Sequence, residues 1–106
     1  MVANDPAYSW IVFPLLYQKD LFDFIALEKK AFPENIAKTL FGKIASTVNK
    51  MHSKGYAHRD LKLENILIDP KSLEVIISDL GFAEPIYSHT HVARSMGTSG
   101  YMAPEL

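Results

Sequence analysis

Apolar and polar positions divide the chain into short β-branched runs and two stretches of helical period. Ile11, Val12 and Phe13 form an apolar run closed by Pro14, which predicts a strand that stops where proline removes a backbone donor. Asp20 stands as the N-cap of a short helix from about Leu21 to Lys30, with Leu21, Phe22, Ile25 and, at its margin, Phe24 on the buried side. Phe32-Pro33 breaks the chain. From Glu34 to Lys54, Ile36, Leu40, Phe41, Ile44, Val48 and Met51 recur at spacings of three and four, while Lys38, Lys43, Ser46, Asn49 and Lys50 take the other face. At 1.5 Å per residue this second helix would extend about 31 Å. Pro33 suits its first turn, and Gly55 suits the left-handed residue after its end. Gly42 weakens it by about 1 kcal/mol relative to alanine, which a buried apolar face outweighs.

Beyond the helix, Ile66-Leu67-Ile68 and Leu73-Glu74-Val75-Ile76-Ile77 are separated by the turn-forming cluster Asp69-Pro70-Lys71-Ser72, so a β-hairpin is expected. The segment after Gly81 is rich in Ser, Thr, His and Gly without a sustained period and predicts a long, partly mobile loop. The pattern as a whole is α+β, mostly helical, with one small hairpin.

Composition narrows the functional classes. The chain has 106 residues, 48% of them apolar, as expected of one small globular domain or a piece of a larger one. Eleven basic residues against twelve acidic ones leave a net charge of −1, so no overall field argues for nucleic acid or an anionic membrane. Partners must be argued from sites. With no cysteine there is neither a disulfide framework nor a thiolate metal site, which suits an intracellular, cytoplasmic chain. No apolar run approaches a membrane span, and the start MVANDPAYSW lacks a basic region followed by an apolar core, so a soluble, untargeted chain is expected.

The hairpin gives the polar residues around it a chemical reading. If residues 66–77 double back, the residue before the first strand and the one after the second, Asn65 and Asp79, meet at the open end. Cross-strand neighbours sit about 5 Å apart, close enough for an amide oxygen and a carboxylate to share Mg²⁺. Asp60 can point into the same space, and Lys62 adds positive charge. An acceptor carboxylate, a lysine and two oxygen ligands are what phosphoryl transfer needs, because that reaction is mostly positioning and charge neutralisation.

At these residues the chain resembles part of a eukaryotic-type protein kinase domain. His58-Arg59-Asp60-Leu61-Lys62-Leu63-Glu64-Asn65 is similar to the catalytic loop, Asp79-Leu80-Gly81 to the metal-binding DFG motif, and Ala103-Pro104-Glu105 to the end of the activation segment, in the family's order. The resemblance implies a partial kinase fold across residues 1–106. Its parts are a hinge at about 10–18, helices at 20–31 and 34–54, a catalytic loop at 58–65, a hairpin at 66–77 and an activation segment at 79–105. It implies that Asp60 accepts the proton of a substrate hydroxyl, that Lys62 holds the γ-phosphate of ATP, and that Asn65 and Asp79 hold Mg²⁺. Thr98 would orient Asp60 and Lys62, and Glu64 would lie with Lys62 and Asn65 on the nucleotide side. Phe13 would be gatekeeper, with the Pro14 carbonyl and Leu16 N–H pairing with adenine. Lys62 and the Gly97-Thr98 pair resemble serine/threonine kinases, so the implied partner is a protein bearing Ser or Thr.

Leu63 and Leu80 depart from the proline and phenylalanine common at these places, as apolar exchanges. Arg59 before Asp60 implies control by a phosphorylated residue, with Ser95 the first choice and Thr90 and Ser88 the others. The five glycines never form G-x-G-x-x-G, and no V-A-I-K lysine is present. The 106 residues alone are therefore expected to be inactive and partly molten. Two functional classes follow: a serine/threonine kinase completed by an N-terminal lobe segment, or a non-catalytic interaction module. His58 is expected to brace its loop, His89 and His91 to be loop residues, and Phe41, Met51 and Phe82 to be core.

Overall fold

The computed structural model describes residues 2–4, 7–17, 19–29, 31–87 and 96–105. In chain order the elements are β1 (Val2–Asn4), β2 (Ser9–Ile11), β3 (Lys19–Asp20), α1 (Leu21–Glu28), α2 (Glu34–Ser53), β4 (Tyr56–Ala57), β5 (Ile66–Ile68), β6 (Val75–Ile77) and β7 (Glu84–Pro85). The strands form three small antiparallel sheets: β1 with β2, β3–β5–β6 in that order, and β4 with β7.

Helix α1 starts as its sequence dictates. Asp20 is extended, and its Oδ1 accepts a hydrogen bond from the Asp23 N–H at 2.7 Å, satisfying one of the amides that have no partner within the helix. The helix ends at Lys29, which turns left-handed at φ 49°. Its buried side is narrower than the sequence suggests: Leu21 is buried and Phe24 and Ile25 pack against the core, but Phe22 points to solvent. Phe24 also meets Phe32 ring to ring at 5.5 Å, which closes the short connection to α2. Asp20→Ala should lower stability by about 1 kcal/mol, read from the midpoint of urea unfolding at an unchanged slope.

Helix α2 spans 20 residues from Glu34 to Ser53, within one residue of the expected end. Pro33 is its N-cap, one position outside the first turn, and the Pro33 carbonyl accepts from the N–H groups of Ile36 and Ala37 at 3.0 Å each. Gly55 follows the end at φ 84° and donates its N–H to the His52 carbonyl at 2.8 Å. Leu40 is buried, and Ile36 and Ile44 pack beside it. Phe41, expected in the core, is 73% exposed because only one stripe of α2 meets the β5–β6 hairpin. Phe82 is likewise exposed, and Met51 is half-buried.

The hairpin forms with Ile66 opposite Ile77 and Ile68 opposite Val75. Its second strand is shorter than expected. Leu73 is left-handed at φ 56°, a conformation no strand can use, so the turn extends through Glu74. Asp69 organises that turn: Oδ1 accepts from the Lys71 N–H at 2.9 Å and Oδ2 from the Ser72 hydroxyl at 2.8 Å. Those bonds, led by the Lys71 amide, hold the Asp69 carboxyl below its ordinary value of 3.8. The strand pairings β1–β2, β3–β5 and β4–β7 were not anticipated, and the run 11–13 is strand only at Ile11.

Among the described residues the buried apolar set is small: Leu21, Leu40, Ile66 and Ile68, where α1, α2 and β5 meet. Among the described residues no helix is long and apolar enough to cross a membrane.

Candidate active site

The loop between β4 and β5 is fixed by one imidazole. His58 is 2% exposed; its Nδ1 accepts the Asp60 N–H at 3.1 Å and its Nε2 lies 2.8 Å from the Ser78 carbonyl. An Nδ1 that accepts leaves the proton on Nε2, so the ring donates to Ser78 and ties this loop to the segment after β6. His58 therefore braces the loop rather than presenting itself to a substrate.

Around that brace four polar side chains converge. Asp60, 6% exposed, receives the Thr98 hydroxyl on Oδ1 at 2.6 Å. Its Oδ2 receives Asn65 Nδ2 at 3.2 Å and lies 3.4 Å from Lys62 Nζ. Lys62 Nζ donates to the same Thr98 hydroxyl at 2.8 Å, and Asn65 Nδ2 also donates to the Asp60 carbonyl at 2.9 Å. The threonine oxygen thus accepts from the lysine while donating to the carboxylate, closing a triangle. Thr98, 38 residues beyond Asp60, reaches it because Gly97 has φ 137° and no Cβ; a Cβ there would come within 3.1 Å of the Arg59 carbonyl and 3.2 Å of Met102 Cγ.

The Asp60 carboxyl is held below its ordinary value of 3.8, chiefly by the Thr98 hydroxyl. Lys62 and Asn65 act in the same direction, and burial opposes them. A carboxyl lowered by folding contributes stability above its unfolded value and loses it as pH falls through the folded value. Thr98→Val removes the largest lowering contact, so its Asp60 midpoint should rise relative to the parent in a ¹³C carboxyl titration. An unmoved midpoint would contradict this account.

Asn65 has its main-chain carbonyl bonded to the Ser78 N–H at 2.8 Å, so Ser78, not Asp79, stands directly opposite it. Asp79 lies one residue further, left-handed at φ 59°, with Oδ1 accepting the Gly81 N–H at 3.1 Å. The expected juxtaposition of Asn65 and Asp79 is therefore offset by one residue: with Ile66 opposite Ile77, the next pair outward is Asn65 and Ser78. Glu64 is exposed in the turn Leu63–Asn65; Phe13 and Pro14 are exposed and Leu16 half-buried in the segment after β2. Asp60, Lys62, Asn65 and Thr98 form one hydrogen-bonded group, and Asp79, Glu64, Phe13, Pro14 and Leu16 stand outside it.

Two features escape the sequence pattern. Arg59, left-handed at φ 68°, donates Nε to the Phe82 carbonyl and Nη1 to Glu84 Oε2, both at 2.8 Å, latching the loop to β7. A cavity of about 200 Å³ opens beside Asp60, walled by Leu61, Met96, Tyr101 and Met102 among others. Two-residue strands carry no periodicity, so neither feature had a signal beyond the charges of Arg59 and Glu84. Ser88, Thr90 and Ser95, with His89 and His91, lie outside the described residues.

The family model described as protein kinase domain matches residues 1–106. The chain belongs to the protein kinase domain family. This kinase-domain sequence is 34% identical over 100 residues to the phosphorylase b kinase gamma catalytic chain, liver/testis isoform, of Rattus norvegicus, covering 94% of the chain and 24% of that protein. It is 38% identical over 108 residues to serine/threonine-protein kinase chk1 of Schizosaccharomyces pombe, covering 98% and 21%. The solved structure of the Cydia pomonella granulovirus kinase PK-1 superposes with a TM-score of 0.83 at 25% identity, over 99% of this kinase-domain chain and 38% of that one. The chain thus spans about a quarter of the length of the curated relatives it matches.

Proposed function

We propose that this chain carries the phosphoryl-transfer centre of an ATP-dependent serine/threonine protein kinase. The observation that carries the reading is the closed Asp60–Thr98–Lys62 triangle with Asn65 on the second carboxylate oxygen. A carboxylate held ionised and in one orientation suits it to take the proton of a Ser or Thr hydroxyl as that oxygen bonds to the γ-phosphorus and the bond to the departing ADP breaks. Lys62 sits where it can balance negative charge on the moving group without leaving Thr98.

The donor set fits Mg²⁺. Asn65 turns its nitrogen toward Asp60, which leaves Oδ1 as an oxygen ligand, and Asp79 engages Gly81 through Oδ1 alone, which leaves Oδ2. Among the described residues no cluster of three or more His, Cys, Asp or Glu side chains could hold a metal. One amide and one carboxylate suit Mg²⁺, which keeps waters and takes substrate phosphates as its other ligands. When bound, the ion would supply charge neutralisation on the phosphates. A protein substrate bearing Ser or Thr belongs to the same reading, supported by relatives whose names describe serine/threonine kinases; an intracellular location and control through Ser95 are proposed with it.

A second reading, a non-catalytic interaction module, draws on the absence from these 106 residues of G-x-G-x-x-G and of a V-A-I-K lysine. One experiment separates them. Joined behind the N-terminal lobe of the phosphorylase kinase relative, the chain should transfer labelled γ-phosphate to a Ser/Thr protein, and Asp79→Ala should abolish that transfer. A fusion that binds Mg²⁺-ATP yet transfers nothing would favour the module.

A further inference from the structure

We propose that Glu84 is a positioning residue for Asp60, acting through Arg59. Its role in transfer rests on the phosphoryl-transfer reading; its hold on the loop does not.

Arg59 bears on Asp60 from two ends. Its backbone is left-handed at φ 68°, a conformation disfavoured for a residue with a Cβ and kept only where neighbours hold it. Its carbonyl is the surface on which Gly97 packs, and Gly97 delivers the Thr98 hydroxyl to Asp60. Its guanidinium is fixed at the far end, with Nε on the Phe82 carbonyl and Nη1 on the Glu84 carboxylate, both at 2.8 Å. Two donors of one planar group thus grip one three-residue stretch. That stretch is fastened in turn to the strand before the loop, since Ala57 pairs with Glu84 and Tyr56 with Pro85. Residues 57–59 and 82–84 close a small ring, with main chain on one side and the ion pair on the other. Asp60 is the next residue out.

The ion pair is partly exposed, 23% for the Arg59 side chain and 45% for that of Glu84, so it adds little to global stability. What it adds is direction. Arg59 and Asp60 line the same cavity. A guanidinium released from Glu84 has the adjacent Asp60 carboxylate as its alternative anion, and pairing there would draw Asp60 away from Thr98 and blunt it as a base. Glu84 therefore sets the peptide that carries Asp60 and keeps the neighbouring cation off it. The Phe82 carbonyl alone does neither, because a neutral acceptor competes poorly with a carboxylate for a guanidinium.

Two preparations test this. In the full chain, hydrogen exchange followed by NMR should show the Asp60 N–H, which donates to His58 Nδ1, exchanging several-fold faster in Glu84→Ala while exchange in β5 is unchanged. In the fusion with the relative's N-terminal lobe, Glu84→Ala should lower kcat by about 10- to 100-fold, the scale of a small misplacement of a reacting group, with KM for the protein substrate within a few-fold. Glu84→Gln keeps an oxygen acceptor at the same reach and should retain more activity than Glu84→Ala. Added formate, a carboxylate small enough for the vacated space, should restore part of the alanine variant's rate, and chloride at the same ionic strength should not. The proposal is overturned if Asp60 exchange is unchanged, if β5 quickens equally, if Glu84→Ala transfers like a competent parent fusion, or if formate restores nothing to such a fusion. Faster exchange confined to the loop, in a chain whose parent fusion transfers nothing, would sink the phosphoryl-transfer reading and leave the hold of Glu84 on the loop standing.

Discussion

Asp60→Asn should slow phosphoryl transfer by about 10²- to 10⁴-fold, the range a positioned general base contributes. The assay is the fusion with the relative's N-terminal lobe, and nucleotide affinity should stay within a few-fold because Asp60 is not among the proposed metal ligands. The substitution also tests the network. Both carboxylate oxygens receive donors, Thr98 on one and Asn65 with Lys62 beside the other. An amide nitrogen on the Asn65 and Lys62 side would face donors, and on the Thr98 side it would turn that hydroxyl from donor to acceptor, so either orientation weakens the network. Slow transfer alone would not separate chemistry from loosened structure, so the circular dichroism spectrum and unfolding midpoint accompany the rate. A rate within a few-fold of the parent would remove Asp60 from the reaction.

The second large effect is on the fold. Ile68→Ala should cost about 2–5 kcal/mol, as expected when a fully enclosed aliphatic side chain is truncated and its surroundings cannot collapse. Ile68 is 0% exposed on the middle strand of β3–β5–β6, against the α1 and α2 side chains of the core. Only four apolar residues are buried among those described, so the loss falls on a small reserve; domains rarely hold more than about 5–15 kcal/mol in total. Ile68→Val, which removes one methyl, should cost about 0.5–1.5 kcal/mol. Urea unfolding of the pair distinguishes enclosure from bulk: a change below about 1 kcal/mol for the alanine variant would mean that this core does not hold the hairpin to the helices.

Residues that act through neighbours in sequence were legible; those that act across the chain were not. Asp20 as N-cap, the course of α2, Gly55 after it and the turn at Asp69 all follow from contacts within a few positions. The grouping of Asp60, Lys62 and Asn65 was legible because they share one tight loop. Thr98 entered only through family resemblance, since 38 residues separate it from Asp60 and nothing periodic links them. The one-residue offset of Asp79 follows from the register, in which Ile66 pairs with Ile77 and Asn65 therefore meets Ser78. Phe41 and Phe82 misled for a different reason: hydrophobicity says which side chains favour burial, not whether a neighbour is there to cover them.

The bare α-carbon of Gly97 against the Arg59 carbonyl couples the two halves of the centre. A side chain gained at position 97 would meet the carbonyl at 59 at 3.1 Å, so that carbonyl would have to give by a few tenths of an ångström, and the backbone at 97 would be strained at φ 137°. A swap of either loop between relatives should therefore be tolerated better when the other travels along.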